Sequence, residues 1–289
     1  MQYSTIGDVK VSRLGIGTKR FPMQNETHVE RLDYDQANAI ADAAFAAGIN
    51  FFDTSYSTRK GEAEVFLGQL EESHPGEFYI ATNFFEMVDP RFEYVFQKQL
   101  KKLEVECIDF YTIEGVCDLT YTRDIESGAV DFLFKMKEEG KIAQLGFSSE
   151  LNAENLKKYM GLYPWDYVRM KVNYFDWFQR GVREQYEVAT EAGLPIVAHA
   201  PLRVGNVEHL KPHALEVLKA ANPDRTSIDW ALRFVKSLEN VRTVTCNVHS
   251  AKAVEENAAV FDDDITLSAD EFAVLEETAA QQKLFRPRS

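Results

Sequence analysis

Cysteine is scarce in this sequence: Cys107, Cys117 and Cys246 are three in number and lie far apart. An odd, scattered set leaves no disulfide framework and no CxxC metal knuckle. Long apolar runs are missing too; none approaches the ~18 residues that a membrane-spanning helix needs. The opening decapeptide MQYSTIGDVK has neither the basic n-region nor the apolar h-region of a secretory signal. Basic charge is in deficit, with 32 Lys+Arg against 46 Asp+Glu and a formal net charge of −14 over 289 residues. A surface of that sign suits neither nucleic acid nor an anionic membrane. These absences predict a soluble, cytoplasmic protein with a small-molecule ligand, and they leave a protein partner open.

What the chain does contain is an alternation of two patterns. Apolar runs bounded by turn residues fall at Leu14–Gly17, Ile49–Asp53, Phe78–Thr82, Cys107–Ile113, Ile142–Phe147, Val168–Val172, Ile196–Ala200 and Val241–Cys246. Mostly without strict alternation, they read as strands buried on both faces. Between them lie stretches of helical period: Tyr34–Ala47, Ala63–Leu70, Phe92–Leu103, Val130–Glu139, Ala153–Tyr159, Glu184–Ala192, Ser227–Ser237 and Ser250–Ala258. Gly48, Gly140 and Gly193 stand where a helix stop needs a left-handed residue. Eight strand–helix units over this length predict an α/β fold, a (β/α)8 TIM barrel, as one domain over residues 1–289. Gln2–Lys10 reads as an N-terminal β-hairpin plugging the barrel bottom, and Ser268–Gln282 as an extra C-terminal helix.

A barrel of this kind carries its chemistry at the C-terminal strand ends. Those ends hold Asp53 with Thr54-Ser55-Tyr56, Thr82-Asn83, Glu114, Ser148-Ser149, His199 and Asn247. Strand six carries Arg169, Lys171 and Asn173 at period two, hence on one face. Loss of charge balance inside the mouth would be costly, so Asp53 and Glu114 are expected to pair with Lys171 and Arg169. Lys171 could alternatively serve as a desolvated amine nucleophile, and His199 as a general base. Asp53, Glu114 and His199 are metal-ligand types, but no ligand spacing links them, and no metal is assigned.

The segments LGIGT (Leu14–Thr18), GINFFDTS (Gly48–Ser55), GEAEVFLG (Gly61–Gly68), IDFYTIEG (Ile108–Gly115), EEGKIAQLGFSS (Glu138–Ser149), HAPLRVG (His199–Gly205), DWALRFV (Asp229–Val235) and EEN (Glu255–Asn257) resemble the aldo-keto reductases. The resemblance covers nearly the whole chain and implies an NADP(H)-dependent oxidoreductase acting on a carbonyl or enone. WDYVRMKVNY (Trp165–Tyr174) is similar to a branch whose members often carry an iron–sulfur domain; its cysteine cluster is missing, so no iron–sulfur cluster is expected. The family's catalytic Asp, Tyr, Lys and His fall on Asp53, Thr58, Asn83 and Glu114, so one of the four is kept. A threonine hydroxyl cannot replace a phenol as proton donor, which makes Tyr56 the candidate substitute. The resemblance implies cofactor contacts at Thr18, Ser148, Ser149, Arg169, His199, Pro201, Leu202, Glu256 and Asn257. It leaves three functions open: hydride transfer with altered acid–base residues, non-redox lyase or isomerase chemistry using Glu114, Lys171 and His199, or a non-catalytic binding or partner subunit.

Overall fold

The computed structural model describes residues 1–26, 29–119, 121–203 and 205–282. Among the described residues the strands are β1 (Tyr3–Ile6), β2 (Val9–Ser12), β3 (Leu14–Gly17), β4 (Met23–Glu26), β5 (Val29–Leu32), β6 (Phe51–Asp53), β7 (Tyr79–Phe84), β8 (Ile108–Cys117), β9 (Ile142–Glu150), β10 (Tyr167–Lys171), β11 (Ile196–His199) and β12 (Val241–Asn247). The helices are α1 (Tyr34–Ala46), α2 (Glu62–Ser73), α3 (Phe92–Leu103), α4 (Arg123–Glu126), α5 (Ala129–Glu138), α6 (Ala153–Met160), α7 (Tyr174–Gln179), α8 (Val182–Glu191), α9 (Pro212–Ala221), α10 (Ser227–Lys236), α11 (Ala251–Ala259) and α12 (Ala269–Gln282).

Eight strands close into a parallel barrel in the order β3, β6, β7, β8, β9, β10, β11, β12. They are the eight apolar runs of the sequence. Helix starts are fixed by side-chain caps: Asp33, Asn152, Thr226 and Ser250 each accept from the backbone N–H three residues on. Residues β1–β2 form the N-terminal hairpin, and α12 is the added C-terminal helix. Among the described residues the antiparallel pair β4–β5, the short α4 and α7 and the additional α9 have no counterpart in the sequence reading. Among the described residues no helix is long and apolar enough to cross a membrane.

The lumen is built in layers, and the layers position the site. At the bottom Phe51, Ala81, Phe110, Tyr167 and Val197 point inward from five different strands and pack on Ile6 and Val11 of the hairpin. The hairpin therefore seals that end. Side chains of a strand alternate faces, so the next inward layer lies two residues on, about 7 Å nearer the mouth. Those residues are Asp53, Asn83, Thr112, Arg169 and His199. The floor is apolar, and the layer directly above it is polar.

Candidate active site

A cavity of about 810 Å³ opens at the C-terminal strand ends, above that polar layer. Asp53, Asn83, Glu114, Arg169, Lys171, His199 and Thr245 line it together with loop residues from Tyr56 to Arg59 and from Ala200 to Arg203. Arg169 occupies its base. One guanidinium nitrogen, Nη2, donates to Asp53 Oδ2 at 2.7 Å, and the other, Nη1, donates to Glu114 Oε2 at 2.7 Å. The three side chains are only 11%, 13% and 24% exposed for Arg169, Asp53 and Glu114 respectively. Ser148 donates to Glu114 Oε1 at 3.3 Å.

Glu114 reaches this position through a break in the strand register. Along the β8–β9 pairing, Ile113 lies opposite Phe147 and Val116 opposite Ser149, so Glu114 and Gly115 together face one residue. Such a bulge re-aims a side chain at a barrel rim. It requires a left-handed residue, which Gly115 supplies at φ +83; a Cβ there would lie 2.5 Å from the Phe85 ring.

The charges decide the protonation states. Burial pushes the Asp53 carboxyl above its ordinary range; Arg169 pulls it down, while Glu114 adds to the rise. Burial works against the Arg169 cation, but Asp53 and Glu114 outweigh it and hold the guanidinium firmly charged. Burial, followed by the positive charges of Arg169, Lys171 and Lys19, depresses His199 well below the usual imidazole value. His199 is therefore neutral, able to accept a proton but poorly disposed to keep one.

The expected pairing holds for Arg169 and fails for Lys171. The ammonium of Lys171 is bonded to Glu150 on the neighbouring strand, and both side chains are about half exposed, at 47% and 50%. The reason is depth: Lys171 shares the inward face with Arg169 but stands one layer higher, where it clears the rim. A hydrated, ion-paired amine lacks the desolvation that makes lysine nucleophilic, so the geometry gives no support to a covalent role.

Tyr56 lies at the edge of the cavity. Its ring packs under the Lys102 ammonium at 4.7 Å and near Lys98 at 6.0 Å, both on α3. Lys102 is in turn bound to the fully buried Glu64 at 3.0 Å. Among the described residues Tyr56 makes no hydrogen bond to Asp53, Glu114 or Arg169. Thr58 shares a hydrogen bond with Ser55 at 2.5 Å, and Asn83 donates to the Thr54 carbonyl at 3.4 Å. Among the described residues no phenol–lysine pair is assembled at the base of the cavity. Among the described residues no group of three or more His, Cys, Asp or Glu is placed to hold a metal ion.

The aldo/keto reductase family model matches residues 13–280, which is nearly the entire barrel. The chain belongs to the aldo/keto reductase family. It is 27% identical over 214 residues to a probable aldo-keto reductase of Glycine max, covering 68% of this chain and 57% of that protein. A second relative, an aldo-keto reductase of Strobilurus tenacellus, is 29% identical and is covered to 61%. The chain thus spans less than two thirds of the length of these relatives. Among solved structures, an aldo-keto reductase of Bacillus halodurans in its holo form superposes with a TM-score of 0.78 at 23% identity, with 96% of each chain covered. A glycerol dehydrogenase of Gluconobacter oxydans gives 0.76 at 19% identity, with 98% of this chain and 96% of that one covered. Likeness at these identities is likeness of fold.

Within this aldo/keto reductase barrel, the residues implied as cofactor contacts separate into two groups. Thr18, Pro201 and Leu202 line the cavity, as do Lys19, Arg20, Arg203, Gly205 and Asn247; Val204 lies outside the described residues. Arg169 and His199 line the cavity too, but Arg169 and the remaining residues are bonded to other groups of the protein. Arg169 is held by two carboxylates and Ser148 by Glu114, and the Ser149 hydroxyl accepts from the Leu151 N–H at 3.2 Å. Glu256 pairs with Lys252 on the exposed face of α11. Asn257 is buried and donates to Cys246 Sγ at 3.4 Å, where it fixes the end of β12. Sequence reasoning missed Thr245, which lines the cavity with its hydroxyl donating to the Ala198 carbonyl at 3.5 Å, and Arg59, whose backbone is left-handed at φ 52. Nothing in the local sequence around Arg59 signals that conformation.

Proposed function

We propose that the chain is a nicotinamide-dependent oxidoreductase of small carbonyl compounds, with the Asp53–Arg169–Glu114 triplet in place of the family's phenol and lysine. The observation that carries this reading is Arg169 held by Asp53 and Glu114 at 2.7 Å each beneath the cavity. Reduction of a carbonyl needs its oxygen polarised and a proton delivered as negative charge develops there. Arg169 brings a fixed positive charge to the base of the cavity. Two carboxylates share that one cation, and burial raises Asp53, so the triplet favours retaining a proton that can be passed to the oxygen.

The dinucleotide's residues fit at its phosphate end. Lys19, Arg20 and Arg203 form a basic strip beside Gly205 and Asn247. Ala200, Arg203 and Gly205 all have positive φ, at 53°, 46° and 81°. Left-handed turns of this kind present backbone N–H groups to anions. Bound there, the nicotinamide would supply the hydride. Thr18 and the Pro201–Leu202 segment would hold its position against the cavity wall. NADP(H) is the form the family resemblance implies.

A second reading, non-redox acid–base chemistry by Glu114 and His199, is favoured by the neutral His199 beside the triplet. An equilibrium titration of NADPH, followed by nicotinamide fluorescence, separates the two. Saturable binding at micromolar concentrations is the expected result. No binding at millimolar NADPH and NADH would remove the oxidoreductase reading and leave the acid–base one.

A further inference from the structure

The cavity holds more positive charge than its triplet consumes. Six cations line it, Lys19, Arg20, Arg59, Arg169, Lys171 and Arg203, against three acids, Asp53, Asp89 and Glu114. This occurs in a chain of net charge −14. Most of the cations have partners. Arg169 has Asp53 and Glu114, Lys171 has Glu150, Arg203 has Asp176 at 3.0 Å, and Arg20 has Glu208 at 3.5 Å. Asp89 is taken by Arg91 at 2.7 Å. Among the described residues, Lys19 and Arg59 have no ion partner. Lys19 belongs to the basic strip near His199, as its effect on that ring shows. Arg59 stands on the other loop, after β6, with Thr58 on one side.

Two further observations mark Arg59. Its Nε–H, like that of Arg169, is sealed from solvent and has no hydrogen-bond partner. Unlike Arg169, it has no carboxylate on its remaining N–H groups among the described residues, so the cost of holding this guanidinium beside the cavity is not offset within the protein. Its backbone is left-handed at φ 52, and Lys60 follows at φ 58. Two successive non-glycine residues in that region are strained, and such strain concentrates at ligand clamps.

We propose that the substrate carries an oxyanion, a carboxylate or a phosphate, which Arg59 grips while Arg169 takes the carbonyl end. The planar guanidinium fork matches either group through paired charge-assisted hydrogen bonds. The carbonyl half of this assignment rests on the function proposed above; the oxyanion half has its own test.

Arg59→Gly is the informative variant, because glycine accepts φ 52 without strain while removing the guanidinium. Its thermal midpoint is expected to equal or exceed that of the native protein. Two substrate pairs distinguish the anion: 4-oxobutanoate against pentanal for carboxylate, and glyceraldehyde 3-phosphate against glyceraldehyde for phosphate. The native protein should prefer the anionic member of one pair in kcat/KM. Arg59→Gly should cut that preference about 10- to 100-fold, mainly through KM, with Arg59→Lys restoring part of it. Equal use of both members, or a preference that survives Arg59→Gly, overturns the proposal. Calorimetric titration of succinate and inorganic phosphate, without nucleotide, covers a protein that turns over neither pair. Anion binding that disappears in Arg59→Gly upholds the oxyanion site even where the reductase reading fails. No anion binding by the native protein overturns it.

Discussion

Replacing Arg169 by methionine is expected to lower stability at neutral pH by about 3–5 kcal/mol, the cost of leaving buried charges without their partner. The side-chain volume is largely kept, so the loss is electrostatic. Asp53 and Glu114 would face each other with their cation gone, and Asp53 already sits above the ordinary carboxylate range because of burial. In the variant it rises further. A carboxyl raised in the folded state favours the fold below its unfolded value and loses that contribution as pH climbs through its folded value. The deficit of Arg169→Met should therefore shrink as pH is lowered and Asp53 takes up a proton. Urea unfolding of both proteins as a function of pH measures it. A deficit independent of pH, or none at all, would mean that the triplet is not the buried charge centre described above.

Asp53→Asn should behave in the opposite way. Arg169 keeps Glu114 as its partner at 2.7 Å, and asparagine can still accept from Nη2. The excess negative charge of two carboxylates around one cation disappears. Because the Asp53 carboxyl is raised, the native protein loses its contribution as pH rises, and the variant lacks that loss. Stability at neutral pH should be unchanged or slightly greater. Carbonyl reduction, in contrast, should fall by about 100-fold or more, the usual contribution of a positioned proton donor. Denaturant curves and steady-state turnover on one preparation check both halves. A destabilised variant with normal turnover would assign Asp53 a structural role only.

The two variants separate what the sequence showed from what it could not show. The eight barrel strands were legible because parallel strands covered on both faces are largely apolar runs, as LGIG (Leu14–Gly17) is. Asp53, Glu114 and Arg169 were legible as strand-end residues. Their arrangement was not. Period two places Arg169 and Lys171 on one face alike, and only their different depths decide that Arg169 reaches the acids while Lys171 meets Glu150. The bulge at Glu114–Gly115 is a register event between two strands, invisible in either one alone. The pair β4–β5 escaped because MQNE (Met23–Glu26) and VERL (Val29–Leu32) carry little apolar patterning. Helix α9 did leave a signal, since Pro212 stands in its first turn where a helix start favours proline. Arg59 left none, because a left-handed arginine is a property of the closed loop and not of its own propensity.

The triplet is proposed as a working centre for hydride chemistry. Its most direct test is a single turnover of the native protein with NADPH deuterated at the nicotinamide C4, in the presence of 4-oxobutanoate and of pentanal, with the alcohol products read by mass spectrometry. Deuterium on the carbinol carbon of at least one product, absent when Arg169→Met is used, is the predicted result. Products free of deuterium at saturating NADPH, or equal deuterium from Arg169→Met, would contradict it.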